Sequence, residues 1–66
     1  MEIIVNGEKK EATPGMSVTE YVTSIGFNPE TVVVEYNSRI LAREDYNSQI
    51  IEDGCILELI RFIGGG

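Results

Sequence analysis

The 66-residue chain has no histidine, a single cysteine and only five basic residues. Each shortage removes a class of function. Without histidine there is no Cys-His nucleophile pair and no histidine-containing zinc site, and one thiol, Cys55, cannot close an internal disulfide. The lone thiol fits a reducing, cytoplasmic compartment. Five basic against eleven acidic residues leave a formal net charge of −6. That is the wrong sign for a phosphate-backbone partner, which needs clustered Lys and Arg. The one basic pair, Lys9-Lys10, is accounted for by a hairpin edge, and the acidic balance suits solubility and docking onto basic partners. Long apolar runs are missing too. None approaches the roughly 20 residues of a membrane span, and the opening Met1-Glu2-Ile3-Ile4-Val5 is too short and too acidic for a secretory leader. Neither nucleic acid nor membrane is an expected partner.

A chain this short buries roughly 60% of the surface its unfolded form exposes. The expected core is one sheet layer against one helix, with no room for a buried cleft. No internal repeat or linker divides the sequence, so residues 1–66 read as one domain. Met1–Val5 is an apolar run ending at Asn6-Gly7, the strongest short hairpin signal because a type I′ turn needs positive φ at both central positions. Glu8–Ala12 is the return strand, and Thr13-Pro14-Gly15 breaks it. Ser17-Val18-Thr19-Glu20 fits a capping box, and Val18, Tyr21, Val22 and Ile25 form one helical stripe that Gly26 ends. Thr31–Tyr36 reads as a strand with Val32, Val34 and Tyr36 on one face. Asn37-Ser38 turns the chain, Ile40-Leu41 adds a brief edge strand, and Arg43–Gln49 holds a turn of short helix. The last strand runs from Cys55, after the Asp53-Gly54 turn, to about Ile63. Strongly apolar, it belongs in the middle of the sheet beside the first strand. The expected class is α+β, a mixed sheet wrapped on one helix in the β-grasp, or ubiquitin-like, arrangement.

Few residues offer chemistry. Glu44-Asp45 and Glu52-Asp53 are adjacent carboxylates in expected turns, where neighbours point apart, and neither has the spacing of a calcium loop. Cys55 has no cationic neighbour in sequence to lower its pKa; Asp53 and Glu58 would raise it, so a structural thiol is expected. No residue is assigned a catalytic or metal-binding role. The terminal Gly64-Gly65-Gly66 is different. Three glycines remove every side chain from the last backbone, leaving it free to follow an enzyme's cleft and to reach about 10 Å beyond the strand. Frayed ends are glycine-rich as well, so a working tail and an inert one both remain open on these grounds.

Several features in order are similar to the ThiS family of sulfur carriers. They are the first strand with its Asn6 turn, the helix near Val18–Ile25, and Val34-Glu35-Tyr36-Asn37 followed by Ile40 and Arg43. Tyr46, Ile50, Asp53-Gly54, the apolar Ile56–Ile63 strand and Gly65-Gly66 follow. Cys55 stands where the family often has an acidic residue, and Ala42 where many members have proline. The resemblance implies a co-substrate rather than an enzyme, with no bound cofactor. It implies that the Gly66 carboxylate is activated by ATP and magnesium on a ThiF-type adenylating enzyme. A desulfurase-derived persulfide then converts it to a thiocarboxylate, and thiazole synthase (ThiG) accepts the sulfur. A MoaD-like carrier for molybdopterin and a TGS-like docking module with inert glycines are the alternatives.

Strand alternation adds a surface. If Leu57 and Leu59 face the helix with Ile3, Val5, Val34 and the stripe through Ile25, then Ile56, Glu58, Ile60 and Phe62 face outward. Ile60 and Phe62 are the expected anchors for the adenylating enzyme, with Glu35 and Glu58 as an acidic rim that steers its approach.

Overall fold

The computed structural model describes residues 1–61. Strand β1 (Glu2–Val5) turns back into β2 (Glu8–Glu11) through Asn6-Gly7, whose φ values of 50° and 81° are both positive, as a two-residue hairpin needs. Alternation sends Ile3 and Val5 into the core, while all four residues of β2 stay exposed. A charged Glu-Lys-Lys-Glu strand on the sheet edge discourages pairing with another chain.

Helix α1 (Val18–Ser24) starts at a complete capping box. The Glu20 amide donates to Ser17 Oγ (3.1 Å) and the Ser17 amide donates to Glu20 Oε1 (2.9 Å). Two orphan donors of the first turn are thereby satisfied. The helix ends one residue earlier than its apolar stripe. Gly26 at φ 95° turns the chain, its amide donating to Thr23 O and the Phe27 amide donating to Val22 O at 2.9 Å. That is the paired closure of a Schellman motif. Ile25 therefore corrects the sequence reading: it caps the helix and is 43% exposed, and Phe27 packs against the core instead.

Beyond the helix come β3 (Val32–Tyr36), the two-residue β4 (Arg39–Ile40), a 3-10 turn at Arg43–Asp45, and β5 (Ile56–Arg61). The sheet order is β2-β1-β5-β3-β4, with β5 parallel to β1 and antiparallel to β3. The last strand thus sits at the centre, beside the first. This is the β-grasp arrangement. One face of the sheet buries Ile3, Val5, Val32, Val34, Leu57 and Leu59 against Val18, Tyr21 and Val22. Burying each such aliphatic side chain is worth roughly 1.5–3 kcal/mol. Tyr46, Ile51, Ala12 and Cys55 complete the core. Tyr46 also serves the sheet, since its hydroxyl donates to Val32 O (2.9 Å) and accepts from the Val34 amide (3.2 Å). It satisfies the edge of β3 where β4 is too short to reach.

Candidate functional site on the outer sheet face

The helix covers one side of the sheet, and on the other side the described side chains are half-buried or exposed. β5 reads exposed, buried, exposed, buried along Ile56-Leu57-Glu58-Leu59, so the alternation expected from sequence holds. Leu57 is fully buried, whereas Ile56 is 45% and Ile60 50% exposed. Their cross-strand neighbours extend the patch. Ile4 lies opposite Ile56, Val33 opposite Ile60, and Ile40, 75% exposed, opposite Glu35. Apolar residues gathered on one face in this way are more than random scatter requires, a feature that protein interfaces share.

The register corrects one part of the expected surface. Glu35 and Glu58 are direct cross-strand partners. They stand side by side in the middle of the isoleucines, with Glu35 half-buried, rather than around them as a rim. Sequence could not supply this, because the β3–β5 register depends on contacts far apart in the chain. Phe62 and the tail Gly64, Gly65 and Gly66 lie outside the described residues.

Two asparagines hold β5 in place, a role the sequence reading missed. Asn6 Oδ1 accepts from the Leu59 amide at 2.7 Å and its Nδ2 donates to Leu59 O at 3.4 Å. Asn37 Oδ1 accepts from the Ile56 amide at 2.8 Å. Both residues have φ of 50°, so each combines a left-handed turn with a side chain that continues the ladder after its own strand has turned away. The only sequence signal was asparagine at each turn.

The sequence profile of the ThiS family matches residues 3–66. The chain belongs to the ThiS family. Its fold agrees with the crystal structure of the ThiS thiamine biosynthesis protein from Geobacter metallireducens, at a TM-score of 0.84 and 32% identity over the full length of both chains. It is 35% identical over all 66 residues to part of a thiazole synthase from Magnetococcus marinus, and spans 20% of that protein's length. It is also 30% identical to the uncharacterized protein ycf40 of Porphyra purpurea, covering 93% of it.

Cys55 is 3% exposed and opens β5 from inside the core. Burial pushes its thiol above the ordinary value, with the nearby Glu52 carboxylate adding to the rise against hydrogen bonds that lower it. The cause thus differs from the one expected: desolvation leads, and the acid is Glu52 rather than Asp53 or Glu58. A thiol so held is a poor nucleophile. Among the described residues no three His, Cys, Asp or Glu side chains gather as metal ligands. None of the helices there is long and apolar enough to cross a membrane.

Proposed function

We propose that the protein is a sulfur carrier for thiazole formation in thiamine biosynthesis, with the Gly66 carboxylate as its reacting group. The observation that supports this most is the ThiS family match, which runs through residue 66. A carboxylate is a poor acceptor because it is anionic at neutral pH, its reference pKa being about 3.5. In the working protein Gly66 must therefore carry a free carboxylate, which attacks the α-phosphorus of ATP on a ThiF-type adenylating enzyme and displaces pyrophosphate. Magnesium and ATP belong to that enzyme. A desulfurase-derived persulfide attacks the acyl-adenylate and AMP leaves. Electron balance then requires a thiol to open the acyl disulfide, releasing the thiocarboxylate. Its sulfur is a better nucleophile than the oxygen it replaced, and thiazole synthase takes it. The similarity to part of a thiazole synthase in Magnetococcus marinus supports that acceptor.

In this reading the chain is a co-substrate, not an enzyme, and it works in the reducing cytoplasm. Glycines at 64 and 65 let the tail pass where a side chain would clash. The outer sheet face is where the adenylating enzyme grips, with Ile60 and Phe62 as anchors beside the tail. Intact-mass spectrometry tests the reading. Protein incubated with the adenylating enzyme, ATP and a sulfur donor should gain the mass difference of one sulfur for one oxygen, at Gly66. Protein that docks without gaining mass would be a binding module instead.

A further inference from the structure

The centre of the outer sheet face sets two like charges in direct register across neighbouring strands. Like charges directly opposite each other on neighbouring strands are destabilising, yet Glu35 faces Glu58 across β3 and β5. Neither has an ion-pair partner among the described residues, where the ion pairs are Met1–Glu11 and Lys10–Glu8. The nearby cations are turned away. Arg61 lies opposite Val32 with its guanidinium over the Phe27 ring at 4.6 Å, and Arg39 lies opposite Tyr36, so both follow the helix side of the pleat. Lys9, opposite Ile4, does share the outer face, but it lies beyond β1, two strands from Glu58, and pairs with neither carboxylate. The two carboxylates are bordered by Ile40, Ile56 and Ile60, all largely exposed.

We infer that the Glu35–Glu58 pair receives one arginine of the adenylating enzyme, with Ile40, Ile56 and Ile60 packing around it. The inference rests on the outer face being the carrier's docking surface. A guanidinium suits the site better than an ammonium: its planar fork of five donors reaches both carboxylates at once, where lysine offers a compact point charge. Docking the isoleucines excludes water and strengthens the attraction between the buried charges. The same charges argue against a second copy of this chain as the occupant. A two-fold contact centred on the pair would bring carboxylates against carboxylates.

The test uses full-length protein, the ThiF-type adenylating enzyme and thiazole synthase. Glu58→Gln, and Glu35→Gln with Glu58→Gln, remove a repulsion and should raise the urea midpoint of the free protein at low salt, a gain that shrinks at high salt. The double variant should bind the adenylating enzyme at least about tenfold more weakly than wild type and lose most of the salt dependence of binding. A double variant that binds the adenylating enzyme with wild-type affinity while still gaining sulfur overturns the arginine site and leaves the carrier reading intact, whatever its affinity for thiazole synthase. Wild-type protein that binds neither enzyme and gains no sulfur overturns both. Sedimentation of the wild type as a dimer that Ile60→Ser dissolves would assign the face to self-association and also overturn the inference.

Discussion

Asn6 stands at φ 50° in the β1–β2 turn and brackets Leu59, 53 residues away, with both ends of its amide. The turn was legible in the sequence because Asn-Gly chemistry is local; the clamp was not, because nothing near Asn6 names its partner. Replacing Asn6 with glycine separates the two roles. Glycine tolerates the positive φ but removes the amide, so urea denaturation should show a loss of about 1 kcal/mol, with part of it from the freer unfolded chain. Asn6→Asp keeps the acceptor for the Leu59 amide and should lose less. Cys55 gives a pH dependence. Burial raises its thiol pKa in the folded protein, so the neutral form is favoured there and the unfolded chain releases its proton first. The contribution is complete below the unfolded thiol's pKa of about 8.5 and falls as pH rises from there through the folded value. Burial also raises Tyr21 and Tyr36, which adds to the loss at still higher pH. Urea midpoints measured from pH 7 to 10 should decline, and Cys55→Ala should flatten the early part of that decline even though it lowers stability throughout.

At the level of elements, periodicity and capping chemistry identified each strand and the helix, and erred where tertiary contacts decide an end. The stripe through Ile25 was real as a period, but Gly26 closes the helix first, and the Schellman geometry presents Phe27 to the core. Arg43–Gln49 read as a turn of short helix, which does not say where the Tyr46 side chain goes. That ring is 4% exposed, and its hydroxyl stands in for a strand partner at the edge of β3. Tyr46→Phe keeps the ring and strips the hydroxyl, leaving the Val32 carbonyl and the Val34 amide without it. Each buried group left unpaired costs about 1–3 kcal/mol, so chemical denaturation should show a loss in that range or above it. The same change at Tyr36 should cost less. Its hydroxyl bridges the Glu52 amide and Ile50 O from a half-buried position that water can reach. The capping box makes a smaller prediction: Ser17→Ala should lower stability by about 1 kcal/mol.

On the scale of the whole molecule, the central position of β5 follows from its apolar length and could be read in advance. The Glu35–Glu58 pairing could not, since a register is fixed only when two distant strands meet. A domain of this size has one sheet, and β5 must serve both of its faces. Its inner residues, Leu57 and Leu59, hold the helix; its outer ones, Ile56, Glu58 and Ile60, meet the solvent. Folding and docking should therefore separate along a single strand, residue by residue. Leu59→Ala should cost about 2–5 kcal/mol of stability, a large share of the roughly 5–15 kcal/mol that holds a typical domain together. Ile60→Ser, one position on and 50% exposed, should change stability by less than about 1 kcal/mol while weakening the adenylating enzyme's grip at least about tenfold. Ile60 is the position to test, since it stands opposite Val33 in the centre of the sheet with half of its surface open. Urea denaturation and calorimetric titration of the two variants read the two quantities separately. Should Ile60→Ser unfold the protein as readily as Leu59→Ala, the outer face would belong to the core, and the docking surface would have to be sought on the helix side.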